Sequence, residues 1–175
     1  MIAKNRIWEE IKQAKTNIIC LQRYTDRRRR ILRYYNIFII TVSAFGALSF
    51  KLNETIPVVT SILVALVSLV KSSMPNFIQS EQEISELDRL TDFYSKYLNT
   101  IENLWYKFYT ESENEKDIMI SFFEYKSNEC DKYSLLNKGI RSISKKEQSF
   151  IDKELLEYIN RIYYITENKD ETHKE

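Results

Sequence analysis

Hydrophobic positions recur every three or four residues along most of the chain. Residues 4–30 keep this spacing without a break, which predicts one amphipathic helix. Its stripe consists of Ile7, Ile11, Ala14, Ile18, Leu21 and Thr25. No proline or glycine interrupts the chain before Tyr34, so we expect this helix to run directly into the apolar segment that follows.

The same spacing returns after Pro75 and predicts a second long helix. Its stripe consists of Ile84, Leu87, Thr91, Tyr94, Leu98, Ile101, Trp105 and Phe108. The polar residues 110–117 then predict a break. This stripe either packs within the chain or pairs with the same stripe of another subunit.

Two shorter helices are predicted in the remaining residues. The first covers about 116–138, and its face consists of Ile118, Phe122, Tyr125, Glu129, Tyr133 and Leu136. Gly139 is expected just beyond its C-terminus. Ser144 and Glu147 form an S-x-x-E capping box that opens the last helix. The face of that helix consists of Ile151, Leu155, Tyr158, Ile162 and Ile165.

Two apolar runs separate the long helices. Residues 34–50 and 56–70 contain no formal charge, and only the short segment 51–55 joins them. They predict an antiparallel helical hairpin over 34–74. A membrane-spanning helix needs about 20 residues. Residues beside the runs extend them to spans of about 34–50 and 56–73.

A hairpin buried inside a soluble bundle is the alternative. Soluble helices usually carry one charged or polar face. From Ile37 to Ser49, and over 56–70, the polar side chains are a few serines and threonines, so all the other residues would have to wrap both helices. This pattern favours the membrane hairpin.

Charge is distributed unevenly along the chain. Residues 1–33 hold 10 Lys/Arg and 3 Asp/Glu, whereas residues 72–175 hold 14 Lys/Arg and 21 Asp/Glu. The basic residues that flank the hairpin are Arg27, Arg28, Arg29, Arg30, Arg33 and Lys71. The positive-inside rule therefore predicts a multi-pass membrane protein with both termini in the cytoplasm. The arginine cluster lacks a reader motif, so we expect no direct nucleic-acid binding.

Composition sets the fold class. The chain of 175 residues has only two glycines and two prolines, too few for the tight turns of a sheet-based fold. We therefore expect an all-α protein made of four parts. These are a basic cytoplasmic helix at 1–33, the transmembrane hairpin at 34–74, a cytoplasmic helical bundle at 75–166 and a frayed tail at 167–175.

Catalytic signatures are missing from the sequence. It contains no nucleotide-binding glycine loop and no HExxH motif, and its single histidine, His173, lies in the charged tail. Cys20 and Cys130 match no metal spacing. We expect no enzyme activity, no metal and no cofactor. The many aromatic residues are typical of core packing or interface anchoring rather than of an aromatic cage or a stacking platform.

Small residues in the hairpin indicate close helix packing. The candidates for packing or for lining a pore are Ser43, Gly46, Ala47, Ser61, Ala65 and Ser68. Small side chains let membrane helices approach each other, and their hydroxyls bond across helices. Two spans cannot enclose a conducting path, so a pore would require a homo-oligomer.

The layout resembles the SLATT domain of bacterial two-transmembrane effectors. The segments that carry the resemblance are IWEEIKQAK, RRRRILRYYNIFIITVSAFGALS and IPVVTSILVALVSLVKSSMP. The resemblance implies an anti-phage effector that oligomerises and permeabilises the inner membrane. It also implies a trigger from a nucleotide-sensing or reverse-transcriptase partner, or from a nucleotide. The alternatives are a non-conducting anchor whose helical tail recruits a partner, a holin-like lysis protein and a soluble helical scaffold.

Overall fold

The computed structural model is helical through most of the part of the chain that it describes. That part comprises residues 2–49, 61–62, 64–69, 80–140 and 143–164, with only the backbone at 45–49 and 164. The helices are α1 (Ile2–Ser49), α2 (Glu81–Tyr109), α3 (Glu115–Gly139) and α4 (Lys145–Ile159), and a π-helical turn (Asn160–Tyr164) follows α4. Residues 61–62 and 64–69 are also helical. The predicted all-α class is confirmed.

Two compact units are defined by the internal contacts of the chain. Unit 1 consists of Met1–Tyr24 and Leu87–Glu175, and unit 2 consists of Thr25–Glu86. Helix α1 runs without interruption from Ile2 to Ser49, which confirms that the N-terminal helix continues into the first apolar run. The absence of proline and the continuous helical spacing explain this length.

Helix α2 has a capping box at its start that the sequence analysis missed. The backbone N–H of Ser80 donates to Glu83 Oε2 at 2.8 Å, and the backbone N–H of Glu83 donates to Ser80 Oγ at 3.2 Å. These two bonds satisfy backbone donors that the first turn of a helix leaves without partners.

The end of α2 uses a left-handed residue that is not glycine. Glu111 has a φ of 51°, and the backbone N–H of Ser112 donates to the carbonyl of Lys107 at 3.2 Å. Such a bond closes a helix C-terminus. The predicted break over 110–117 is confirmed, although α3 already begins at Glu115.

The predicted role of Gly139 is wrong. Gly139 is the last residue of α3 rather than the residue beyond it, and it does not have a positive φ. The small size of Gly139 matters instead for helix packing. A Cβ atom added to Gly139 would lie 2.5 Å from Leu87 Cδ2, so glycine permits close contact between the end of α3 and α2.

The predicted capping box of the last helix is confirmed. The backbone N–H of Ser144 donates to Glu147 Oε2 at 2.9 Å, and the backbone N–H of Glu147 donates to Ser144 Oγ at 3.3 Å. These reciprocal bonds fix the first turn of α4 at Lys145.

One hydrophobic core in unit 1 joins all four helices. Its buried members include Ile7, Ile11, Ala14, Ile18, Leu21 and Tyr24 of α1, Leu87, Tyr94, Tyr97 and Ile101 of α2, Ile118, Phe122 and Leu136 of α3, and Tyr158 and Ile159 of α4. The predicted stripes of α1 and α2 are confirmed. The stripe of α2 therefore packs within the chain's own core.

The predicted faces of the last two helices are correct only in part. In α3, Tyr125 and Tyr133 are exposed, whereas the other four predicted positions are buried. In the last helix, Ile162 is exposed, and Ile165 lies outside the described residues. The π-helical turn that begins at Asn160 has a longer repeat than an α-helix, so a four-residue spacing no longer keeps side chains on one face.

The described part of unit 2 exposes many large apolar side chains. Its exposed large side chains are Tyr34, Ile37, Phe38 and Ile40 of α1, and Ile62, Val64, Leu66 and Leu69 of the helical residues that follow. The predicted connection at 51–55 lies outside the described residues. Within the described residues, none of the helices combines the length and the apolar character that crossing a bilayer requires.

Candidate functional site

The predicted basic flank lies on α1 within unit 2. Arg27, Arg29, Arg30 and Arg33 are exposed, and Arg28 is half-buried. Arg30 Nε donates to the carbonyl oxygen of Asp26 at 3.4 Å, a weak bond within the helix. The side chains of Arg27, Arg29, Arg30 and Arg33 are therefore in contact with water. Lys71 lies outside the described residues.

The predicted packing residues of the hairpin are exposed wherever their side chains are described. This applies to Ser43, Ser61, Ala65 and Ser68. Ser68 Oγ donates to the carbonyl of Val64 at 2.9 Å, so this hydroxyl is satisfied within its own helix. Gly46 and Ala47 lie in the helical backbone of α1, and their side-chain surroundings lie outside the described part.

A buried ionic network in unit 1 was not predicted. Glu10 and Glu129 are only 8% and 2% exposed. The ammonium of Lys126 donates to Glu10 Oε1 at 2.8 Å and to Glu129 Oε2 at 3.1 Å. The hydroxyl of Tyr94 donates to Glu129 Oε1 at 2.8 Å, and that of Tyr97 donates to Glu10 Oε1 at 3.1 Å. The network therefore connects α1, α2 and α3.

Burial and charge shift the pKa values of this network. Burial and the hydrogen bond to Glu129 raise the pKa of Tyr94, and burial and the charge of Glu10 raise that of Tyr97. Burial alone would lower the pKa of Lys126, but its hydrogen bonds and charge interactions with Glu10 and Glu129 outweigh burial and raise it. All three groups therefore keep their protons at neutral pH and act as donors to the carboxylates. This arrangement serves helix packing rather than proton transfer.

Unit 1 contains an aromatic cleft with the features of a ligand site. It has a volume of about 650 Å³ and is lined by Lys4, Asn5 and Trp8 of α1, Glu102, Trp105, Tyr106 and Tyr109 of α2, and Ile162 and Tyr163 of the π-helical turn. Cavities of about 300–1,000 Å³ with apolar walls and a few polar groups are typical of small-molecule sites.

The aromatic rings of the cleft support one another. The ring centroids of Trp8 and Trp105 are 5.3 Å apart, and Tyr163 meets Trp8 edge-on at 4.8 Å. The ammonium of Lys4 lies 5.5 Å from the Trp105 ring centroid and 5.7 Å from that of Tyr109. These are cation–π distances. A charged group therefore lies directly against the exposed ring faces.

Glu102 is held in place at the cleft by two tyrosine hydroxyls. Tyr158 and Tyr163 both donate to Glu102 Oε1, the latter at 2.9 Å. Burial, and then the interactions with Glu102, raise the pKa of both phenols, so they remain donors at neutral pH. Among the described residues, no donor contacts Glu102 Oε2. That oxygen can therefore accept a hydrogen bond from a ligand.

A smaller cavity of about 330 Å³ surrounds Cys20. Asn17, Cys20, Leu136 and Ile151 contribute to its walls. Burial, and then the charge of Glu147, raise the pKa of the Cys20 thiol to about 11. The thiolate is the reactive form of cysteine, so this thiol is a poor nucleophile at neutral pH.

The sequence patterns gave little indication that the carboxylates of Glu10 and Glu129 are buried. Glu129 occupies a stripe position of α3, which was a usable signal for a buried charge. Glu10 lies one residue from Ile11 and gave no such signal. The cleft depends on Trp8 and Trp105, which are distant in sequence, and only the fold brings them into contact.

Comparisons with known proteins add no relative. No protein-family model matches the chain, and searches of curated proteins and of solved structures found no similar protein.

Proposed function

We propose that the chain is a membrane effector of bacterial anti-phage defence that oligomerises and permeabilises the inner membrane when triggered. The exposed apolar surface of unit 2 is the observation that carries this proposal. Among the described residues of that unit, eight large and mainly apolar side chains are exposed, including Phe38, Ile40 and Leu69. Exposed apolar surface of this extent usually marks an interaction with a membrane or with another protein.

The arginine cluster supports the bilayer as the partner of this surface. Four arginines of the flank are exposed immediately before the apolar segment of α1. Arginine is costly to move through a bilayer and is attracted to anionic headgroups. The proposed arrangement is therefore a hairpin over residues 34–74 with both termini in the cytoplasm and Lys71 at the end of the second span.

The resemblance to the SLATT domain supports the defence role. It adds a homo-oligomer in the membrane and a trigger delivered by a nucleotide, or by a nucleotide-sensing or reverse-transcriptase partner. In this proposal Ser43, Gly46 and Ala65 allow the close helix approach that an oligomeric pore needs.

Membrane fractionation with a voltage-sensitive dye tests the proposal in bacteria that express the full chain. We expect the protein in the membrane fraction and loss of membrane potential once the trigger is present. Ile40→Glu places a charge on the proposed lipid-facing surface and should lower the membrane-bound fraction. Ile120→Glu changes an equally accessible isoleucine of unit 1 and is the matched control. Equal membrane binding of the two variants would contradict the proposal.

The pore is tested separately from insertion. Gly46→Leu and Ala65→Leu add bulk where the hairpin is proposed to pack, and they should reduce oligomer size and depolarisation while leaving membrane binding intact. Unchanged oligomer size and toxicity in both variants would contradict the proposed pore interface.

A second function, a non-conducting anchor, is favoured by a different observation. The aromatic cleft of unit 1 opens at the surface and offers a place to recruit a partner or a ligand. A membrane-bound protein that leaves the potential intact after its trigger is supplied would support the anchor over the pore.

A further inference from the structure

Some aromatic rings of the cleft are exposed rather than packed in the core. Tyr106 and Tyr109 are 65% and 73% exposed, although both lie beside the buried face of α2. Trp8, Trp105 and Tyr163 pack against each other, which fixes the orientation of their rings. The exposed rings of Tyr106 and Tyr109, beside this packed set, provide a surface on which a planar ligand can stack.

The charged groups of the cleft select the charge of the ligand. The ammonium of Lys4 lies near the rings of Trp105 and Tyr109, so a ligand cation bound there would meet a like charge. A ligand anion would instead attract this ammonium. Because Lys4 lies on the exposed face of α1, its side chain can reach such an anion without a change in the core.

The carboxylate of Glu102 selects a further chemical group. The two tyrosines fix it through Oε1, which leaves Oε2 as an acceptor for a ligand N–H. A ring nitrogen or an amino group that donates to a carboxylate forms a strong, charge-assisted hydrogen bond.

We propose that the aromatic cleft of unit 1 binds a small planar heterocycle that carries both an N–H donor and a negatively charged group, the chemistry of a purine nucleotide. The ring stacks on the accessible aromatic faces, the anion pairs with Lys4, and the N–H donates to Glu102. This inference deepens the proposed function, because it assigns the nucleotide trigger to a cleft whose groups all belong to unit 1, and it rests on that function only for the role of the nucleotide.

Tryptophan fluorescence offers a direct test. The chain has two tryptophans, and both Trp8 and Trp105 line the cleft. The full chain in detergent micelles is titrated with adenosine monophosphate, adenosine and inorganic phosphate. Adenosine monophosphate should change the fluorescence saturably and bind at least about 10-fold more tightly than adenosine, because a charge-assisted contact is worth about 1.5–3 kcal/mol. Equal binding of the two, or no saturable change with either, would overturn the proposal.

Lysine variants separate the cleft from general charge effects. Lys4→Gln should reduce the affinity for adenosine monophosphate to that for adenosine. Lys12→Gln is the matched control, because Lys12 lies on the same helix and pairs with Glu9 at 2.7 Å rather than lining the cleft. Equal losses in both variants would overturn the assignment of Lys4.

Two ligand changes test the remaining contacts without altering the protein. Purine riboside monophosphate lacks the amino group of adenosine monophosphate and should bind several-fold more weakly if Glu102 accepts that N–H. Choline, an organic cation, should bind more weakly than either nucleotide. Tighter binding of choline, or no effect of the amino group, would overturn the assigned ligand chemistry. None of these results bears on membrane insertion, so the two proposals can fail independently.

Discussion

Isoleucine has opposite surroundings in the two units, even within one helix. Ile11 of α1 is 0% exposed in unit 1, whereas Ile40 of the same helix is 68% exposed in unit 2. The two helix segments differ in their polar residues. Around Ile11 a charged face lies opposite the apolar stripe, so one side can face a core and the other water. From Ile37 to Ser49 no charged residue occurs, so no rotation of the helix separates apolar from polar surface.

This difference shows that helix formation and burial are separate consequences of sequence. An unbroken helix needs only suitable backbone propensity, and α1 has it throughout. Burial within a chain needs partners with matching stripes, and the described core residues supply them to unit 1. The described residues of unit 2 instead leave many large apolar side chains exposed. The following predictions test this comparison, from the largest expected effect to the smallest.

Alkali should have the largest effect, because it acts on four tyrosines of unit 1 together. The folded structure raises the pKa of Tyr94, Tyr97, Tyr158 and Tyr163, while unfolded tyrosines ionise near pH 10. The stability linked to these groups is therefore present below about pH 10 and is lost as pH rises further. Circular dichroism and tyrosinate absorbance should change together above about pH 10. Smooth ionisation of all tyrosines with the helices intact would contradict this prediction.

Replacing Lys126 should destabilise unit 1 strongly. Lys126→Met leaves the buried carboxylates of Glu10 and Glu129 without their cation, which is expected to cost about 3–5 kcal/mol of unfolding free energy. Denaturant unfolding followed by tryptophan fluorescence measures this loss. Lys153→Met is the control, because its ion pair with Glu157 is long, 3.8 Å, and exposed, so it should change stability by less than about 1 kcal/mol. Similar losses in both variants would refute the network's role.

The same substitution in the two units should give different results. Ile11→Ala removes buried surface and leaves a cavity, so it should cost about 2–5 kcal/mol. Ile40→Ala should remain within about 0.5 kcal/mol in detergent, because the side chain is exposed within the chain. Denaturant unfolding of the full chain measures both. A large loss for Ile40→Ala would show that unit 2 has its own packed core.

Helix caps should matter equally in both units, because a cap acts locally. Ser144→Ala and Ser80→Ala each remove the side-chain acceptor of a capping box and should cost about 0.5–2 kcal/mol. Hydrogen exchange at the amides of Glu147 and Glu83, which these serines accept from, should become several-fold faster. Ser149→Ala, in the interior of α4, is the control and should not accelerate exchange. If only one of the two serine variants showed faster exchange, the stabilisation by a capping box would not be a purely local effect.

Periodicity predicted the helices well, because each one buries a stripe or begins at a cap that is encoded locally. The stripes of α1 and α2 and the capping box at Ser144 needed only neighbouring residues to be recognised. The role of Gly139 was missed, because it depends on contact with Leu87, which is distant in sequence. The exposure of Ile162 was missed because a change in helix type alters the spacing.

The candidate sites were less predictable than the fold. The cleft needs Lys4, Trp8, Glu102 and Tyr163 together, and no short motif contains them. The Glu10–Lys126–Glu129 network likewise forms between three helices, and its separate residues resemble ordinary surface charges. The basic flank and the hairpin residues could be named from sequence, because their proposed partner is a bilayer rather than a distant segment. Their roles remain proposals.

The two cysteines differ in accessibility, and this difference can be used to measure how often unit 1 opens. Cys130 is exposed, and Cys20 is buried with a raised pKa, so a thiol reagent at neutral pH should modify the first promptly and the second only when unit 1 opens. The ratio of singly to doubly modified chains in an intact-mass spectrum would then record how often unit 1 opens. Each chain carries its own reference, so the ratio does not depend on the amount of protein sampled.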